Sequence, residues 1–289
     1  MTSPLRVGYV PEHFQSPLLQ LAERDNGNTF VLVPCPSGTG QIMAAFANGE
    51  IDVSIALTES LLAGITKGQD SFKFIGTYIE SPLNWAVITG ANAPYNSIAD
   101  LEGTRFGISR AGSGSEVMAN VMALEQQWKK PPTFQINDNF AKLRQSVNDG
   151  DTSAFMWEWF TTLPYVKSGE VKFIGNQLTP WPSWSIVAGV TVDAAKLTTF
   201  VDSLDHAVRR FDQGRQSGEA VEFVHKTFGY DKEDVQKWIQ GVTYSQQHLS
   251  TVKKSVITHT LDTLVNAHVI DQRDWDMHTY INTNVAKLE

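Results

Sequence analysis

Ser109-Arg-Ala-Gly-Ser-Gly-Ser-Glu116 decides how this chain is read. It follows Thr104-Arg-Phe-Gly-Ile108, a short apolar run with the length of a buried strand. It precedes residues 117–127, where apolar side chains recur at helical spacing. Ser113 with Glu116 matches the S-x-x-E capping box, so the spacing predicts a helix beginning at Gly114 or Ser115. The first amides of a helix have no intrahelical acceptor, and small residues around them leave room for an anion or polar ligand. For a lone S-x-x-E, a cap that binds nothing is the better explanation. A second instance of the same logic shifts the balance. Ser37-Gly-Thr-Gly40 follows the β-branched run Thr29-Phe-Val-Leu-Val33 and precedes a helical run over 41–47 that ends at Asn48-Gly49. Ligands of open α/β sheets gather outside the carboxyl ends of the strands. Two such turns therefore predict two α/β lobes that face one another across a cleft.

Length and composition agree. The 289 residues are enough for two ordinary lobes, and 42% hydrophobic with 19% charged residues is a globular balance. The net charge of −8, with no basic run, argues against a nucleic-acid partner. The single cysteine, Cys35, excludes an internal disulfide and a cysteine-rich metal site. No apolar run reaches the length of a membrane span. Met1 leads directly into the first strand, so the chain is expected to be cytoplasmic unless a leader has been removed.

In order, strands are expected at 5–10, 29–33, 50–57, 72–78 and 84–89, with helices at 18–24, 41–47 and 61–67 between them. Residues 91–97 have the composition of a crossover. Then come strands at 104–108, 134–136, 152–157 and 171–175, helices at 117–127 and 139–148, and a return strand at 185–190. From Val192 onward the pattern is helical, with helices at 196–215, 219–227, 232–240, 251–267 and 272–288. The fold expected is α/β, two-lobed and hinged. Lobe I takes residues 1–89 and 186–289, and lobe II takes residues 90–185. Residues 251–288 have two readings, a clamp on lobe I or a homodimer surface.

The run from Gly38 to Ala56, with Asn48-Gly-Glu-Ile-Asp-Val-Ser at its centre, resembles a segment of the type II periplasmic binding proteins for nitrate, sulfonates and thiamin pyrimidine precursors. Ile98-Ala-Asp-Leu-Glu-Gly-Thr-Arg-Phe-Gly-Ile-Ser109 is similar to the segment that opens their second lobe. The resemblance covers residues 5–240 and is strongest to intracellular fungal proteins of this fold related to the thiamin pyrimidine synthases. It implies a periplasmic-binding-protein-like type II fold with the ligand at the strand ends.

On this sequence the strand ends carry Glu12 and His13; Ser37, Gly38 and Thr39; Thr58 and Glu59; Trp85; Ser109; Ser113, Gly114 and Ser115; and Trp157 with Glu158. Each has a structural alternative: loop acids in water, helix caps, a core imidazole, core indoles. Five of the eight tryptophans lie at positions 85, 157, 159, 181 and 184, and indole faces stack on flat ligands. Helix starts favour acceptor atoms, and Glu12, Glu59 and Glu158 favour donors. The expected ligand is a small polar or heterocyclic molecule that carries both, such as an aminopyrimidine with a polar tail, or a small anion. Catalysis of the pyrimidine-synthase type is the competing reading. The resemblance would then require a cysteine-rich iron motif and a pyridoxal-binding lysine. Cys35 is the only thiol, and Lys67 and Lys73 sit in no recognisable motif. No cofactor, metal or catalytic residue is assigned.

Overall fold

A computed structural model of the protein describes residues 3–289. The chain alternates strands and helices as β1 (Leu5–Tyr9), α1 (Ser16–Asp25), β2 (Phe30–Pro34), α2 (Thr39–Ala47), β3 (Val53–Leu57), α3 (Thr58–Thr66) and β4 (Phe72–Ile79). Next are β5 (Asn84–Gly90), β6 (Arg105–Ile108), α4 (Gly114–Glu125), β7 (Thr133–Ile136), α5 (Phe140–Asp149), β8 (Ala154–Glu158), α6 (Trp159–Lys167) and β9 (Val171–Leu178). The remainder is β10 (Trp184–Gly189), α7 (Ala194–Ser217), α8 (Glu219–Phe228), α9 (Lys232–Gly241), β11 (Thr251–Val252), α10 (Lys254–Asn266), α11 (Met277–Tyr280) and β12 (Lys287–Leu288). No helix of the described residues is long and apolar enough to cross a membrane.

The chain forms two compact units. The first contains the chain up to Ser81, Pro182–Ile257 and Asp274–Glu289; the second contains Pro82–Trp181 and Thr258–Arg273. Their sheets have the same plan. The first runs β2-β1-β3-β10-β4 and the second β7-β6-β8-β5-β9. In each, the fourth strand is antiparallel to both neighbours and the rest run one way.

In the first unit Val53-Ser-Ile-Ala-Leu57 is buried on both faces except at Leu57, as a sheet covered on two sides requires. Its one polar side chain is satisfied: Ser54 Oγ donates to the Gly8 carbonyl at 2.7 Å. Arg6 pairs with Asp52 at 2.7 Å and ties β1 to the start of β3. Phe30 meets Phe200 edge-on, where α7 covers the sheet. In the second unit Ala86, Ile88, Leu143, Val147, Phe155 and Val171 make the core under α5. Asn139 caps α5 by accepting from the Lys142 amide at 3.0 Å. Asn139→Ala is expected to destabilise this unit by about 1 kcal/mol in urea denaturation, the usual cost of a lost cap.

Three expectations need correction. The strand over 84–89 is expected in lobe I, but β5 is hydrogen-bonded between β8 and β9 in the second sheet. The return to the first unit comes at Pro182, and residues 258–273 join the second unit. The helix expected over 272–288 is reduced to the four residues of α11. Beyond it Ile281 bridges Phe74, the Asn282 amide donates to the Phe74 carbonyl at 2.9 Å, and after a turn β12 pairs with β11, so strand-type pairing replaces the helix.

Candidate functional site

In the first unit, β1 feeds a 3-10 turn, His13–Gln15, whose last residue is the N-cap of α1. The Phe14 carbonyl accepts from the hydroxyls of Tyr244 at 2.9 Å and Tyr78 at 3.2 Å, which fixes the turn. His13 is fully buried, with ring centres of Phe14, Trp238 and Tyr230 at 4.4, 4.6 and 5.6 Å. Burial pushes its imidazole down to about 3, so it is neutral at any ordinary pH. Glu12, before the turn, is half-buried.

At the next junction Ser37 is exposed, and its amide donates to Gln41 Oε1. Gly38, with φ of 81°, is the N-cap of α2, a backbone angle that suits glycine. Thr39 is buried, and its hydroxyl accepts from the Leu57 amide at 3.3 Å, which fastens α2 to the end of β3. Cys35 is also buried, and burial pushes its thiol up, away from the nucleophilic form. After β3, Thr58 hydrogen-bonds Ser185 at 2.8 Å, and Glu59 and Ser60 are buried in the first turn of α3. Trp184 pairs with Leu57 across the sheet and packs 5.5 Å from Phe14.

In the second unit, α4 begins at Gly114 as its sequence predicts, but the capping box is not the expected one. Ser113 makes no cap bond; its hydroxyl pairs with that of Ser115 at 3.0 Å. Glu116 reaches past the cap to accept from the Gly112 amide. The glycines let the chain fold back that far. Ser109, Ser113 and Ser115 are all buried beside Arg110, whose guanidinium is held below its usual range by burial.

At the same end of this sheet Trp85 is paired with Glu158. The Glu158 carboxylate accepts from the Phe160 amide at 2.9 Å and from the amide and hydroxyl of Thr161 at 2.7 and 3.0 Å. It is therefore the cap of α6, and burial pushes it up to about 7 against those bonds. Trp157, expected to stack on a ligand, points to the opposite face of β8 and lies on Phe140 at 5.0 Å. Trp159 packs on Phe173 at 4.6 Å. Trp157 and Trp159 serve packing, while Trp85 is buried at the start of β5.

Of the side chains at these ends, Arg110, Gln15 and Ser60 have no signal of their own in the sequence, and Trp184 has only its place among the clustered tryptophans. Arg110 lies inside the Ser/Gly stretch, where the serines and glycines carry the pattern and the arginine does not. Gln15, Ser60 and Trp184 are buried, and Gln15 Oε1 and Nε2, Ser60 Oγ and Trp184 Nε1 have no hydrogen-bond partner among the described residues. The Trp85 indole nitrogen is in the same condition. Buried polar atoms in native proteins are rarely left so, because each omission costs about 1–3 kcal/mol.

Residues 85–177 match a model of the Ca3427-like PBP family. Among solved structures, the conserved Candida albicans CA3427 gene product is 31% identical, with a TM-score of 0.91 over 100% of this chain and 99% of that one. It is described as defining a new family with the generic periplasmic binding protein fold. The alkanesulfonate-binding protein SsuA from Xanthomonas axonopodis pv. citri, bound to MOPS, is 15% identical with a TM-score of 0.76, each chain covered in full. The Escherichia coli aliphatic sulphonate binding protein SsuA is 17% identical with a TM-score of 0.68 over 99% and 94% of the two chains. These two share the fold. No protein of curated function matches. Likeness to CA3427 over the whole length, with the same strand order repeated in both sheets, places the chain in the Ca3427-like family of proteins with the periplasmic binding protein fold.

Proposed function

We propose that the protein reversibly binds one small solute that has an anionic or acceptor-rich end and a donor-rich end. The observation that carries this reading is the set of buried, hydrogen-bond-deficient side chains at the carboxyl ends of both sheets. Arg110, Ser113, Ser115 and the first amides of α4 suit the acceptor end. Glu12 and the buried Glu59 suit the donors. A heterocycle of the aminopyrimidine kind with a polar tail has both ends, and so does a zwitterion. A cytoplasmic setting, with the solute held rather than transported, is part of the same proposal.

The test is calorimetry on the full chain with aminopyrimidines, thiamin, MOPS and ethanesulfonate, together with mass spectrometry of small molecules retained through purification. Binding of at least one probe is the expected result. Arg110→Ala is expected to weaken an acidic ligand by about tenfold or more, the loss of one charge-assisted contact. If no probe gives heat and nothing is retained, the proposal is wrong.

A further inference from the structure

Gln15, Ser60 and Trp184 come from three different junctions of the first unit: the turn after β1, the first turn of α3, and the start of β10. All three stand at one edge of the first sheet, at the ends of the adjacent strands β1, β3 and β10. Trp184 pairs with Leu57, three residues before Ser60 in the chain, and its ring lies 5.5 Å from that of Phe14, the neighbour of Gln15. Gln15 is 0% exposed, Ser60 1% and Trp184 2%. Their four polar side-chain atoms lack partners among the described residues. No charge is among them. Together they offer the N–H groups of an amide and an indole, a hydroxyl, and an amide carbonyl.

From this chemistry we infer that Gln15, Ser60 and Trp184 read an uncharged edge of the ligand, one that places a hydrogen-bond donor beside an acceptor, as in a carboxamide, a urea or an amino-substituted ring. The inference rests on the solute-binding reading above and narrows it. A primary amide meets such an edge with two parallel hydrogen bonds, one in each direction. A carboxylate or sulfonate has only acceptors and leaves the Gln15 carbonyl oxygen facing another oxygen. The ligand's negative end is thus excluded from this edge.

Gln15 also differs from a structural glutamine in a way that needs no ligand. A structural side chain is missed when it is removed. Here, replacement by the similarly shaped methionine removes two unsatisfied buried polar atoms. Gln15→Met in the full, ligand-free chain is expected to raise Tm by about 2–4 °C. A fall of that size means that the amide holds the fold, and it overturns the inference.

Binding provides the second arm. Calorimetry compares nicotinamide with nicotinate and glutamine with glutamate, with ethanesulfonate as the simple anion. The amide member of at least one pair is expected to bind about tenfold tighter than its acid, and Gln15→Met is expected to level the pair. Equal binding of amide and acid, or a preference that survives Gln15→Met, overturns the inference. So does binding of ethanesulfonate when neither amide binds, although the solute-binding reading then stands. If neither class binds and no small molecule is retained, both readings fail.

Discussion

Acidification from pH 6.5 to about 3 is expected to remove about 5 kcal/mol of stability from the first unit through His13 alone. The imidazole is fully buried among aromatic rings, and burial lowers its pKa from 6.5 to about 3. The sign follows from proton counts. Below pH 6.5 the unfolded chain takes up a proton that the folded chain refuses, so acid favours unfolding. The stability present above pH 6.5 falls by about 1.4 kcal/mol per pH unit until the folded-state value is reached. Glu158 works in the opposite sense in the second unit. Its carboxyl stays protonated to about pH 7 when folded and ionises near 4.5 when unfolded, so its contribution is complete below 4.5 and is lost as pH rises through 7. That term amounts to roughly 3 kcal/mol, and where the two units unfold in one transition its slope cancels that of His13 between pH 4.5 and 6.5. Urea denaturation of the wild type and of His13→Leu at pH 7, 5.5 and 4 separates them. The leucine variant, neutral and similar in size, keeps the Glu158 slope and loses the His13 slope. Parallel curves for the two proteins would show that His13 is not the acid-sensitive group.

The helices and strands around both sites are legible because each is punctuated locally. Pro17 follows directly on the first residue of α1, Gly114 opens α4, and Asn139 caps α5, all readable from short-range chemistry. What is not legible depends on partners far away in sequence. Nothing in Asn84-Trp-Ala-Val-Ile-Thr-Gly90 says which sheet it joins; that is set by β8 and β9, more than sixty residues later in the chain. The tail beyond α11 reads as helical by pattern, but the free edge of β4 offers backbone partners, and the tail pairs there instead. At the site, the turns can be found from sequence and the individual roles cannot. Trp157 and Glu158 are neighbours on one strand and must face opposite ways. The sequence does not show which faces the strand ends and which faces Phe140. Glu158, expected to read a ligand, is held by the first turn of its own helix. The reverse holds for Gln15: an amide in a polar-looking loop gives no sign that it will be fully buried.

Gly76→Ala is expected to destabilise the first unit by about 3 kcal/mol or more, because a methyl group there has nowhere to go. A Cβ at this position would lie 2.1 Å from the Leu249 carbonyl oxygen and 3.0 Å from its carbon. That carbonyl is not free to swing away, since it accepts from the Thr77 amide at 2.9 Å. The segment that carries it covers the outer edge of β4. The Ser245 amide donates to the Tyr78 carbonyl, the Glu80 amide to the Thr243 carbonyl, and Tyr244 bridges Ile79. Leu249 and Tyr244 are both wholly buried under it. The alanine must therefore lift the segment, break the Thr77 bond and loosen two buried side chains, and Tyr244 also steadies the Phe14 turn at the candidate site. Loss of ligand binding is expected to accompany loss of stability. Gly241→Ala is the matched control: no atom lies within 4 Å of where its Cβ would stand, and it ends a helix, so it is expected to be neutral or slightly stabilising. Gly90→Ala is the equivalent test in the second unit, where the Val147 carbonyl oxygen would lie 2.2 Å away. Urea midpoints and amide exchange at Thr77 decide the matter. Wild-type stability in Gly76→Ala, with Thr77 still protected, would mean that the covering segment is held far more loosely than its hydrogen bonds imply.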